Sequence, residues 1–280
     1  MTSPRVPPLG LIDHAPRDIL LLRSDFPGPP ETLQGYAIRQ TDGLAELREH
    51  ARTAPPSSVV LVRIHGAPNE MAQLAELVRE TPSVPVVAAV EFGRMDAGRV
   101  RAVVAAGVAE VVNLDGVRGL EAIVPTLRRA HAQPLKRRME ARLPVWMPAE
   151  ARTLLRAAAE TVVDRGGRDV FAGIFGVYAR TLSARCVDLD LPVPRQLLGW
   201  MRVLLALTVL EEAGRTVMNV ALSCGYNDNS ALKRAIENLV GTPASGSIRD
   251  QRFEPAFDAF LEELRALRHG SPARRTGAAA

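Results

Sequence analysis

The strongest constraint on the fold is a change of hydrophobic period near residue 131. Before it, short apolar runs alternate with helical stretches. Residues 18–23 (DILLLR), 36–39, 58–64 (SVVLVRI), 84–90 (VPVVAAV) and 110–113 read as strands. Residues 43–52, 70–80, 97–106 and 120–131 read as helices between and after them. Apolar, β-branched runs without polar alternation are what strands look like when both faces of a parallel sheet are covered. After residue 148 the strand pattern stops. Residues 149–164, 170–175, 179–187, 194–213, 217–223, 229–240 and 255–268 all carry the helical period. The stretch between, with KRRMEAR and the two prolines of LPVWMP, reads as a boundary.

This divides 280 residues into two domains of ordinary size. The expected organisation is a disordered segment 1–16, an α/β domain 17–131, a linker 132–148 and an all-α domain 149–250. A C-terminal helix 251–269 and a disordered tail 270–280 follow. With 35 basic and 31 acidic residues the net charge of +4 is slight, and no long basic block announces a nucleic-acid partner. Two cysteines, Cys186 and Cys224, fall short of a disulfide framework. They read as buried structural thiols in a reducing compartment. No segment has the length and apolarity of a membrane span, so the chain is expected to be soluble and cytoplasmic.

Two pieces of the rear half resemble each other. AGIFGV (172–177) and ALSCGY (221–226) each place a small residue, three spacers, a glycine and an apolar residue before a further helix. Two helices meeting at a tight turn need a small side chain where they approach. The turn itself needs a residue tolerant of positive φ. One such match is weak; two, joined by a long helix, are far more specific.

With those residues in view, the region from about 151 to 248 resembles the double helix-turn-helix DNA-binding domain of the AraC/XylS transcription regulators. Gly176, Val177 and Leu182 match the first unit. Gly225, Tyr226 and Leu232, with Lys233, Arg234, Ala235 and the closing Gly241, Thr242 and Pro243, match the second. The resemblance implies that helices beginning near Ala179 and Asn229 read DNA bases. Arg180 and Ser183 on the first, with Asn229, Ser230, Lys233 and Arg234 on the second, would then be the DNA-binding residues. Their chemistry suits base reading, since Asn pairs with adenine, Arg or Lys with guanine, and Ser with either. The alternative for each is a solvated surface position. Asn227 and Asp228 read as helix caps. Ala184, where many relatives carry a basic side chain, and Glu237 both depart from a strongly DNA-binding surface.

The front half resembles a response-regulator receiver, a doubly wound α/β fold, and lacks its chemistry. Arg63 stands where the family's phosphoacceptor aspartate ends the third strand. Asp25 is the single carboxylate after the first strand, and Leu114 lies near the place of the family's lysine. An arginine there would repel the Mg²⁺ that phosphoryl transfer needs, and Arg63 is expected to pair with a local carboxylate such as Asp25. No phosphate-cradling loop, metal-ligand spacing or nucleophile–base pair appears, so no enzymatic activity, cofactor or metal is expected. The combined expectation is a sequence-specific transcription regulator. Its partner is double-stranded DNA and not a membrane, and its sensory or dimerisation domain is not phosphorylated. A homodimeric or regulatory protein partner is the further expectation. The rival is a non-catalytic interaction protein whose helical domain has lost DNA binding.

Overall fold

Period-two alternation decides the front half. In β1 (Arg17–Leu22), Leu20 points to one side of the sheet, while Ile19 and Leu21 point to the other. β4 (Val59–Ile64) does the same, with Val60 and Val62 against Val59 and Leu61. Both sides must therefore be roofed. The first is covered by α1 (Leu44–Thr53), α2 (Glu70–Glu80) and α3 (Ala97–Ala105), through Leu47, Leu74, Leu77 and Val103. The second is covered by α4 (Val124–Glu140), through Val124, Leu127 and Ala130.

The computed structural model describes residues 17–26, 32–33, 36–54, 58–65, 67, 69–81, 84–115, 120–211, 215–241, 248 and 251–270. The expected disorder of 1–16 and 270–280 concerns residues outside this set, except Gly270, which is the last residue of the C-terminal helix; Thr242 and Pro243 of the closing motif also lie outside it. β2 (Thr32–Leu33), β3 (Tyr36–Thr41), β5 (Val86–Val90) and β6 (Glu110–Asn113) complete a sheet of order β2-β3-β1-β4-β5-β6. Five strands are parallel, and two-residue β2 pairs antiparallel with β3 at the edge. The parallel strands follow the doubly wound order second-first-third-fourth-fifth, with the reversal between β1 and β4. The expected α/β architecture is the one observed.

The expected linker has a different form. α4 runs unbroken through residue 131 to Glu140, with Pro134 inside it. Its first half closes the sheet, while Ala132, Leu135 and Met139 enter the core of the rear half. A single helix with two apolar stretches thus serves two cores. The sequence signal for a boundary was charge, yet Arg137 and Arg138 are used for local bonding. Arg137 donates to the carbonyls of Gly107 and Val108 at 3.2 and 2.8 Å.

Among the described residues seven helices follow: α5 (Ala149–Val163), α6 (Arg168–Ile174), α7 (Ala179–Asp188), α8 (Pro194–Leu210), α9 (Val217–Ser223), α10 (Asn229–Val240) and α11 (Phe253–Gly270). α8 is apolar nearly all round and sits at the centre, as such a helix must. Its Trp200 is buried, and the indole N–H donates to Glu263 of α11 at 2.5 Å. α11 lays Phe253, Phe257, Phe260 and Leu264 against the rear core. Arg138 and Arg142 hold the start of α11, stacking over Phe253 and Phe257 and pairing with Glu254 and Asp258. Among the described residues no single helix is long and apolar enough to cross a membrane.

Candidate nucleic-acid interface

The two repeated motifs fold into the same backbone device. After α6, Gly176 takes φ +63°, its N–H donates to Gly173 O at 3.1 Å, and Val177 N–H reaches back to Ala172 O at 3.2 Å. After α9, Gly225 takes φ +82°, its N–H donates to Leu222 O at 3.1 Å, and Tyr226 N–H reaches Ala221 O at 2.9 Å. These reverse bonds satisfy carbonyls that a helix end leaves open. The left-handed backbone at both glycines is the conformation that a side chain disfavours. The chain direction then changes by 77° between α6 and α7.

Each following helix anchors by two inward residues four apart. Leu182 and Cys186 of α7 are buried, as are Leu232 and Ile236 of α10. Because the second turn is one residue longer, Leu182 corresponds to Leu232. Arg180, Ser183 and Ala184 then correspond to Ser230, Lys233 and Arg234, on the outward side. Asp228 begins α10 as a cap, accepting the N–H of Ala231 at 2.7 Å. Asn227 is exposed. No side chain caps α7.

The six sequence-derived candidates occupy different situations. Arg180, Ser230 and Arg234 are exposed. The Arg234 Nε donates to Ser230 O at 3.3 Å, which holds the side chain along the helix. Ser183 is half-buried and donates its hydroxyl to Ala179 O at 2.9 Å, leaving the oxygen's lone pairs as acceptors. Lys233 lies 4.0 Å from Glu237, a surface contact worth about 0–1 kcal/mol and readily exchanged for a phosphate. Asn229 differs: its Oδ1 is buried and has no hydrogen-bond partner. A two-point grip on adenine uses both amide atoms, so Asn229 must rotate outward before it can read a base. Thr181 and Arg185 are exposed beside Arg180 and Ala184. They correspond to Ala231 and Ala235 of α10, so the spacing of the second unit does not name them, and only their exposure does.

The cysteines lie on the packed sides of these units. Burial raises the Cys186 thiol to about 11 and the Cys224 thiol to about 12. Both stay protonated and behave as small apolar side chains.

At the carboxyl ends of the strands, the Arg63 guanidinium pairs with Glu91, not with the Asp25 carboxylate. β4 and β5 are hydrogen-bonded neighbours, with Ile64 opposite Val90, so the residue after β5 lies within reach of Arg63. Asp25 instead accepts the Arg63 backbone N–H at 3.1 Å and lies 3.8 Å from His65 Nε2. Glu91 also holds Arg94 at 2.8 Å. Among the described residues no three His, Cys, Asp or Glu side chains gather as a metal site. A guanidinium at the phosphoacceptor position, paired with Glu91, does not fit a divalent cation.

No family model and no curated protein matches the chain. Among solved structures it is similar to RcsB from Salmonella enterica serovar Typhimurium, bound to promoter rprA in the presence of phosphomimetic BeF3-. That match has 11% identity and a TM-score of 0.28, and it covers 66% of this chain and 98% of the RcsB chain. A likeness at that score carries no argument about fold or site.

Proposed function

We propose that the protein is a sequence-specific transcription regulator of the AraC/XylS type, a binding protein without catalytic activity that acts in the cytoplasm. The observation that carries this reading is the repeated unit. Two helix–turn–helix segments share the same left-handed glycine cap and the same pair of inward anchors, with Arg180 and Ser183 standing where the second unit has Ser230 and Lys233. In this reading α7 and α10 enter successive major-groove segments about 34 Å apart on one side of the duplex. Arg180, Ser183, Ser230, Lys233 and Arg234 meet base edges or phosphates, and Asn229 joins them after its amide turns out. The front domain serves as a sensory or dimerisation unit whose state is not set by phosphorylation, because Arg63 and Glu91 occupy the phosphoacceptor end of the sheet.

Selection of bound DNA from a genomic pool, followed by gel shifts at low and moderate salt, tests the proposal. A regulator enriches a defined site and shows a steep salt slope. The absence of an enriched site, with no binding even at low salt, refutes it. A second reading, docking to another protein, is favoured by apolar side chains exposed on the same units: Ile174, Tyr178, Met218 and Leu222. It predicts a protein complex that survives substitution of Arg180 and Arg234.

A further inference from the structure

A cavity of about 480 Å³ opens where β5 and β6 begin, between the front sheet, α4 and the end of α8. This is the opposite end of the sheet from the Arg63–Glu91 pair. Val78 of α2, Val84, Pro85 and Val86 at the start of β5, Ala109 before β6 and Pro134 of α4 give it an apolar lining. Thr208 and Glu211 of α8 stand on the rear side. Small-molecule sites have this character: about 300–1,000 Å³, mostly apolar walls and a few placed polar groups.

Most polar groups on the wall are already engaged. The Thr81 and Thr208 hydroxyls donate to Leu77 O and Leu204 O, each at 2.8 Å, and offer a ligand only their lone pairs. Gln133 Nε2 donates to Glu110 at 3.0 Å. Glu211 pairs with Arg138 and accepts the backbone N–H of Phe253 at 2.8 Å. Arg138 is shared with Glu254 at 3.1 Å and lies over the Phe253 ring.

Arg137 is different. Its guanidinium, on the cavity wall, donates to the carbonyls of Gly107 and Val108 and has no carboxylate partner among the described residues. Gly107, at φ +87°, turns the chain between α3 and β6 and so presents its carbonyl there. Two carbonyl dipoles hold the guanidinium in place without neutralising it, and most of its five N–H donors stay unspent.

We propose that this cavity binds a small carboxylate with an apolar body. The carboxylate sits on Arg137, and the body lies against Val78, Val84, Val86 and Pro134. Arginine matches a carboxylate through two parallel N–H bonds, which fixes orientation as well as charge. A cationic ligand finds no unpaired carboxylate here, because Glu211 is held by Arg138. The volume is that of about 16 waters at ~30 Å³ each, which admits a ligand of about ten non-hydrogen atoms. Such a ligand touches α2 and β5 of the front domain, the shared helix α4 and the end of α8. It bridges the sheet and the helix that joins the two repeated units.

The test uses the full chain and sodium octanoate, with octanamide as the neutral analogue and acetate as the carboxylate without a body. Titration calorimetry at pH 7.5 should show one saturable octanoate site per chain. Octanamide should bind about 10–100-fold more weakly, and acetate should give no saturable heat. Intermolecular NOEs should run from the octanoate chain to the methyl groups of Val78, Val84 and Val86. Arg137→Gln should lose affinity for octanoate to the level of octanamide. Val78→Phe, which fills the cavity and keeps Arg137, should abolish binding, and it decides the matter should Arg137→Gln not fold. No saturable octanoate site in the wild type, equal affinity for octanamide, NOEs to other methyl groups only, or full affinity in a folded Arg137→Gln or Val78→Phe overturns the proposal.

Discussion

Gly176→Ala and Gly225→Ala should each destabilise the protein, and Gly173→Ala should not, although all three add one methyl group. A Cβ at Gly176 or Gly173 meets nothing within 4 Å, and one at Gly225 makes only ordinary contacts, so crowding contributes little at any of them. The difference is the backbone. Gly176 and Gly225 lie at φ +63° and +82°, where an L side chain costs roughly 1–2 kcal/mol. Gly173 lies inside α6, where alanine gains roughly 0.4–1 kcal/mol. At about 2–4 °C per kcal/mol for a domain of this size, the two turn variants melt about 2–8 °C below wild type. Gly173→Ala melts at or slightly above it. Urea unfolding by circular dichroism, with unchanged m-values, provides the free energies. Turn variants as stable as wild type, or a Gly173→Ala as costly as Gly176→Ala, would refute the left-handed turns on which the repeated unit depends.

Other outcomes follow from particular residues. Arg234→Ala should relax base preference at one position of the selected site by about 1–3 kcal/mol, read by competition binding; an unchanged preference counts against its role. Burial, reinforced by Arg17, holds the His131 imidazole well below its usual range. Its folded value being lower than its unfolded one, the unfolded chain binds the extra proton, so stability falls as pH drops below about 6.5. The slope reaches at most about 1.4 kcal/mol per pH unit, and His131→Phe should flatten it in pH-dependent melting. Cys186 and Cys224, raised by burial to about 11 and about 12, should react with a thiol reagent at pH 8 only after unfolding; rapid labelling of the native protein would contradict their burial. Incubation with acetyl phosphate should leave the mass of the intact chain unchanged, since Arg63 and Glu91 fill the end of the sheet.

Much of this was legible in the residues because it depends on local period. The apolar runs placed the strands to within about two residues, as in VPVVAAV, whose last five residues form β5. The glycine spacing located both turns, because positive φ is a property of the turn alone. Charge gave a poorer guide. KRRMEAR suggested a linker, but its first five residues lie in a helix whose apolar face already belongs to the rear core. Arg63 was matched to the wrong carboxylate, since strand neighbours rather than chain order decide that its guanidinium meets Glu91 and not Asp25.

By itself the sequence determined where the helices and strands form, apart from the edge strand β2 and the second half of α4, and that two turns in the rear half are alike. Those features follow from side-chain period and from the backbone freedom of single residues. Tertiary structure alone decided that α4 joins two cores, that the Asn229 amide oxygen is buried, and that Arg165 and Arg202 meet behind Gly225. Such meetings depend on how far apart elements of distant sequence come to lie, and no local pattern encodes that distance.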